Sequence, residues 1–281
     1  MEMESFARSL WRVLEPVHAV TYFADECLEA NASVGLRGFW MGYFGARAAP
    51  LGPVPAGVVE AVFYNFHPAR VRRAIPDAWG FAVPDEIVVA RANAAALALR
   101  RLAPTVERAA PELNRLLAAV VEAGDAPGRP LFGANRDLPV PDDPVAALWQ
   151  ATTTLREHRG DGHVAVLASE GLDGCEVHVL MSAIEGVPAD LMQRARGWSP
   201  EDWAGAVDRL AGRGLVAADG TVTAAGRALR DRIEARTDDL AGRPYRVLRD
   251  PEALIPLLRP LAEGAAKGLR FPNPMGLPRP S

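Results

Sequence analysis

The residues best equipped for chemistry lie in one run, Thr154-Leu155-Arg156-Glu157-His158-Arg159-Gly160-Asp161-Gly162-His163. His163 and His158 titrate near neutral pH and are the candidate general acid and base. Glu157 or Asp161 would orient an imidazole, completing a catalytic set of His163, His158, Glu157 and Asp161. Arg156 and Arg159 present planar forks that hold a carboxylate, sulfate or phosphate, and Arg47, from the first half of the chain, offers a third. The backbone N–H groups following Gly162 would add an anion site if a helix begins there.

A plainer reading covers part of the run. His158 and Arg159 suit a helix C-terminus, where the dipole favours cations, and Asp161 suits an N-cap. Arg156, Glu157 and His163 are the surplus that capping leaves unexplained. His158, Asp161 and His163 are three metal-ligand types within six residues, yet their spacing fits no standard zinc pattern, and no metal is expected. The sequence has no Gly-rich phosphate loop, GxGxxG fingerprint or GxSxG elbow, so no cofactor is expected either.

Apolar helical sequence flanks the run on both sides. Asp143-Pro144 opens a helix that reaches it, and Gly160-Asp161-Gly162 is expected to break that helix, with a new one starting at His163. Upstream, residues 5–22 read as a helix that Pro16 kinks or ends. Residues 38–52 carry four aromatics among small residues, with Arg47 in their midst. Residues 55–65 and 68–78 read as helices, the second with a basic face of Arg70, Arg72 and Arg73 that solvation explains. Residues 86–123 read as a long helical stretch interrupted at Pro104 and Pro111.

Downstream, Ser199-Pro200-Glu201-Asp202 is a strong helix start, with an N-cap serine, proline in the first turn and acids facing the dipole. Residues 216–223 read as a hairpin turning at Asp219-Gly220, and residues 224–240 as a further helix. Helix, hairpin and helix is the winged-helix order, with residues 199–212 in the recognition position. The expected fold is therefore mainly α: a helical module over 1–125, a linker or crossing segment over 126–143, a winged-helix-like module over 144–250, and a final helix with a Pro-rich tail over 251–281. Gly35-Leu36-Arg37-Gly38 is echoed by Gly171-Leu172-Asp173-Gly174, and Gly52 by Gly186, hinting at two related modules. A cleft between them is a usual place for a ligand. Tyr43, Trp40, Tyr64 and His67 are its candidate lining, whereas His178, in an apolar run, reads as a satisfied core histidine, and Trp198 and Trp203 as core.

Charge argues against nucleic acid. The 281 residues carry a formal charge of −4. Residues 199–240 have two more acids than bases, and two of those acids fall in the first turn of the recognition helix. A DNA reader normally neutralises several phosphates with Lys or Arg. Cys27 and Cys175 give no disulfide framework or CxxC site. No run reaches the roughly 18 apolar residues of a membrane span, and no signal peptide is read, so the cytoplasm is expected.

Arg47-Ala48-Ala49-Pro50-Leu51-Gly52, residues 155–163, Arg196-Gly197-Trp198 and Thr237-Asp238 together resemble the SalK-like family of actinobacterial winged-helix-containing proteins. The resemblance runs over most of the chain, and Arg159-Gly160-Asp161-Gly162-His163 is its most specific element. It implies an all-helical protein with winged-helix elements, associated with specialised metabolism as enzyme or regulator. Taken together, the sequence predicts a cofactor-independent acid/base enzyme (elimination, ring closure or hydrolysis) acting on a small anionic metabolite. The alternatives are a ligand-responsive winged-helix transcription regulator and a non-catalytic partner subunit in a biosynthetic complex, and a homo- or heterodimer with a related protein is a further expectation.

Overall fold

The computed structural model describes residues 5–269, and among these the chain is almost wholly helical. The helices are α1 (Phe6–Phe23), α2 (Asp25–Ser33), α3 (Gly38–Ala48), α4 (Ala56–Phe63), α5 (Pro68–Arg72), α6 (Ala78–Phe81), α7 (Pro84–Leu102), α8 (Val106–Glu122), α9 (Pro130–Arg136), α10 (Pro144–Ser169), α11 (Gly174–Glu185), α12 (Ala189–Arg196), α13 (Pro200–Gly212), α14 (Ala224–Gly242) and α15 (Leu254–Ala266). The Pro-rich tail from Phe271 lies outside the described residues.

The molecule is organised along α10. Asp143 caps it by accepting from the N–H groups of Val145 and Ala146, with Pro144 in the first turn where no donor is lost. At 26 residues it is about 39 Å long. It packs against α1, α7, α8, α9 and α14. Its N-terminal part, through Leu155, belongs to a core shared with α1, α7, α8 and α15. From Val166 onward it belongs to a second core shared with α11, α13 and α14. A third core, formed by α3 to α6 with Leu131 of α9, packs alongside. The polar residues between Leu155 and Val166 therefore occupy the stretch of α10 that passes from one core to another.

This corrects the expected break at Gly160-Asp161-Gly162. The helix runs straight through, and Asp161 is neither a cap nor a chain bend. Two glycines cost a helix interior roughly 1 kcal/mol each, an amount that packing on several sides outweighs. A Cβ at Gly162 would lie 2.5 Å from Nη1 of Arg129, the residue before α9, so the Arg129 guanidinium would have to shift. Without a helix start, the expected anion site on the N–H groups after Gly162 does not exist. The same logic overrules Pro16 and Pro111, each of which sits inside an intact helix.

Helix α13 starts as read: Ser199 accepts from Asp202 N–H while the Asp202 carboxylate accepts from Ser199 N–H. The expected hairpin reduces to one antiparallel bridge, Val216 to Val222, around Gly220. The wing is thus a tight turn and no sheet is built. The echoed glycines Gly35, Gly171, Gly52 and Gly186 all have positive φ, but Gly186 is a left-handed helix cap and Gly52, with ψ −165°, is not, so the second echo is not one turn repeated. No described helix is long and apolar enough to cross a membrane.

Candidate functional site

A continuous helix distributes the polar run around its girth. Arg156, Gly160, His163 and Val164, spaced as neighbours on one face, border a cavity of about 290 Å3. Its other walls come from Tyr22 and Phe23 of α1, from Phe39, Trp40, Tyr43 and Arg47 of α3, from Phe63, Asn65 and Phe66 around the end of α4, and from Arg196 of α12. Tyr43 and Trp40 are among the residues that line the space. The rings interlock: Tyr43 lies 4.7 Å from Tyr22, 5.4 Å from Phe66 and 5.9 Å from Trp40, centroid to centroid. Such edge and offset contacts fix a rigid wall.

At the base of this wall lies an ionic lattice. Arg47 donates from Nε to Glu157 Oε1 at 2.7 Å and from Nη2 to Oε2 at 2.9 Å. Arg156 Nη1 donates to Glu157 Oε2 at 3.1 Å, and its Nε lies 3.3 Å from Glu15 Oε2. Trp11 Nε1 also donates to Glu15. Glu157 is 1 % exposed, so its charge survives only through these partners. Burial opposes the Glu157 anion, but Arg47 and then Arg156 outweigh it and hold the carboxyl well below its usual range. Burial likewise works against the Arg47 charge, which Glu157 and Tyr43 more than restore. Arg47 stacks at 4.2 Å over Phe63, and Arg196 at 4.6 Å over Phe66.

His163 is fixed by α14. Thr237 Oγ1 donates to the Ile233 carbonyl and so accepts from His163 Nδ1 at 2.9 Å, which leaves Nε2 with the lone pair. Burial pushes this imidazole down to about 3. It is neutral at physiological pH, with its one ring proton held toward Thr237, and that argues against the expected role as general acid. Beneath Tyr22, His18 bridges the Tyr22 hydroxyl and Thr153 Oγ1 at 2.9 Å each and stays neutral, chiefly by burial.

The structure does not bring the remaining catalytic candidates to the cavity. His158 turns toward α9, edge-on to Phe132 at 4.8 Å, and burial followed by Arg129 pushes it down to about 3. Asp161 accepts from Phe132 N–H at 2.9 Å on the same face. Arg159 points instead to Glu234 and Asp238 of α14. Tyr64 is spent on the Leu172 carbonyl, and His67 lines a neighbouring groove, 3.7 Å from Asp202 and edge-on to Trp198. No group of three or more metal-ligating side chains occurs among the described residues.

Asp161 makes a specific pH prediction. Burial raises it to about 7, so the folded protein favours the neutral acid. A carboxyl raised in the folded state stabilises most below its unfolded pKa near 4, and that contribution is lost as pH rises to about 7. Asp161→Asn keeps the acceptor for Phe132. Urea denaturation should show it equal to wild type near pH 4 and more stable by about 1–3 kcal/mol at pH 8; the same gap at both pH values would refute the burial argument.

Sequence reading missed several contributors. Trp11, Glu15, His18 and Tyr22 form a polar stripe on one face of α1 at helical spacing, a signal that was present. Arg196 and Asn65 carry no local signature; only the packing of α12 against the end of α4 brings them here, with His67 N–H bonded to Arg196 O at 2.9 Å. His178 is buried, with its imidazole hydrogen-bonded to the Asn65 backbone.

Among known proteins, the profile of a family described as "Helix-turn-helix family" matches residues 7–272. No curated protein and no solved structure matches the chain.

Proposed function

The chain belongs to a helix-turn-helix family, and from that premise we propose that it binds a flat aromatic anion, an aromatic carboxylate being the simplest of the class. One juxtaposition carries the reading. Seven aromatic rings and the guanidinium groups of Arg47, Arg156 and Arg196 line one cavity, with no carboxylate among its described lining residues. Glu15 and Glu157 behind the wall pair with Arg156 and Arg47, and Arg196 stacks over Phe66 and hydrogen-bonds Tyr43. Burial lowers Arg196 from its ordinary value, but a guanidinium remains charged at any physiological pH. Guanidinium forks set beside aromatic faces suit a planar carboxylate.

The groups present suit holding more than transforming. Glu157 is locked between two arginines, His163 has too low a pKa to serve as an acid, and Asp161, the one carboxyl raised to about 7, faces α9. The enzyme reading retains one support, the lone pair on His163 Nε2 beside the cavity. That weak base would suit only substrates whose proton is already acidic.

The helix-turn-helix module, α11 to α14, supplies Arg196 to the cavity. The exposed side of α13 presents Glu201 and Asp208, while Arg209 is committed to Asp173 and Glu176, and Arg213 to the carbonyls of Glu170 and Gly171. This favours the module as a ligand-sensing wall over a reader of phosphate backbones. The SalK-like resemblance supports placing the ligand in specialised metabolism.

Calorimetry with 2-naphthoate and the uncharged 2-naphthylmethanol tests the charge requirement. A charge-assisted hydrogen bond contributes about 1.5–3 kcal/mol, so the carboxylate should bind at least about tenfold more tightly. Equal affinities would remove the guanidinium groups from the account.

A further inference from the structure

Phe39 and Trp40 border the groove of His67 as well as the cavity, and this groove, of about 580 Å3, runs between α3, α5 and the start of α13. Arg37, Arg70 and Arg73 line it, and Asp202 is the one carboxylate among its described lining residues, which leaves an excess of two positive charges. The Asp202 carboxylate is itself committed to the helix cap, accepting from Ser199 N–H at 2.9 Å.

A basic surface is ordinarily just solvated, its arginines mobile or ion-paired. Arg72, on the same helix as Arg70, follows that rule and pairs with Glu60 at 2.6 Å. Arg37, Arg70 and Arg73 have no ion pair among the described residues. Two of them are nevertheless held in place. Arg70 lies over the Trp40 ring at 4.3 Å and donates from Nη1 to the Arg194 carbonyl at 2.8 Å. Gly197, the left-handed cap of α12, makes room for it, since a Cβ there would lie 2.6 Å from Arg70 Nε. Arg37 lies over the Phe81 ring at 3.9 Å. Stacking holds a guanidinium by its face and leaves N–H groups on its edge for an acceptor. Burial, then Arg73, works against the Arg70 charge, and no acid offsets them.

Cations gathered and fixed without an acid among them suit an anion of higher charge. A phosphate monoester carries about −1.5 to −2 near pH 7 and three acceptor oxygens, which matches the excess; a carboxylate carries one charge. His67 adds a donor to the lining, because its Nδ1 accepts from Ala69 N–H at 3.1 Å and the ring proton is left on Nε2. The Phe39 ring, 42 % exposed, offers an apolar face to a flat group. The groove's volume falls within the usual range of ligand sites.

We propose that this groove is a second ligand site, for a small phosphate ester carrying a flat ring, of the nucleotide class: Arg37, Arg70 and Arg73 take the phosphate, and Phe39 takes the ring. It is separate from the aromatic carboxylate proposed for the cavity, and neither reading depends on the other.

The test is calorimetry on the full chain with adenosine 5′-monophosphate, adenosine and a short DNA duplex. The monophosphate should bind one-to-one and at least about tenfold more tightly than adenosine. Arg70→Met should lower its affinity at least about tenfold. The Arg73 side chain is exposed and unpaired, so Arg73→Met tests the site without disturbing the fold and should weaken the monophosphate while leaving 2-naphthoate unchanged. Arg72→Met, on the same helix, and Arg196→Met, in the cavity, should each leave monophosphate affinity within about twofold. Equal binding of monophosphate and adenosine, or no binding of either, overturns the phosphate site and leaves the cavity's role standing. A loss in Arg72→Met as large as in Arg73→Met would reduce the site to a diffuse surface field, and a loss confined to Arg196→Met would move the monophosphate to the cavity. Duplex binding that Arg73→Met weakens and the monophosphate does not displace would assign these arginines to a nucleic-acid backbone instead.

Discussion

Glu157→Ala should destabilise the protein by about 3–5 kcal/mol in urea or thermal denaturation, the cost of leaving a buried ion without its partner. Glu157 is 1 % exposed and takes both arms of Arg47 and one of Arg156, so its removal strands the Arg47 guanidinium at the base of the cavity and leaves Arg156 with Glu15 alone. Adding Arg47→Leu to Glu157→Ala should recover part of the loss, because an uncompensated charge is then removed. A single substitution costing under about 1 kcal/mol would mean that the lattice is solvated. The pH dependence has a defined sign. Glu157 is held below its usual range, and Glu234 is lowered to about 2 because Arg230 and its neighbours outweigh burial. Depressed carboxyls stabilise above their unfolded value near 4.3, and that contribution is lost as pH falls toward the folded values.

Phe44→Ala should cost a further large amount, about 3–5 kcal/mol, and should damage binding even where the fold survives. Phe44 is fully buried, with the rings of Phe66, Tyr43, Phe63 and Trp40 at 5.0, 5.4, 5.7 and 5.9 Å. It does not line the cavity; it sets the positions of rings that do. Truncation lets those rings relax inward or tilt, so 2-naphthoate affinity should fall by at least about tenfold, roughly one edge-to-face contact or more. Phe44→Leu keeps most of the volume and should retain binding. Unchanged affinity in Phe44→Ala would show that the wall holds its shape without its core.

How far the sequence spoke for itself depends on whether a signal was local. Caps were legible because they are local chemistry: Asp143-Pro144 and Ser199-Pro200 both open the helices they announce. Arg47 was legible as an anion-binding residue facing the polar run, although the anion it meets is the protein's own Glu157. Local signals misled where burial decided the outcome. Gly160, Gly162, Pro16 and Pro111 are breakers by propensity, yet each lies inside a helix held by its neighbours. The expected break rested on Gly160 and Gly162 flanking Asp161 among seven polar residues. A continuous helix separates them instead, sending Arg156 and His163 to the cavity and His158 and Asp161 to α9. Arg196 and Asn65 were beyond reach for another reason, since only tertiary packing brings them to the cavity.

The central claim is that a cation of the helix-turn-helix module and the aromatic wall of the body hold one anionic aromatic ligand between them. Calorimetric titration of 2-naphthoate into the wild type and Arg196→Met, both checked for equal thermal stability, tests it most directly. The account predicts saturable one-to-one binding to the wild type and a loss of at least about tenfold in Arg196→Met, the size expected for one charge-assisted hydrogen bond. Identical titrations for the two proteins, or no heat for either, would contradict it.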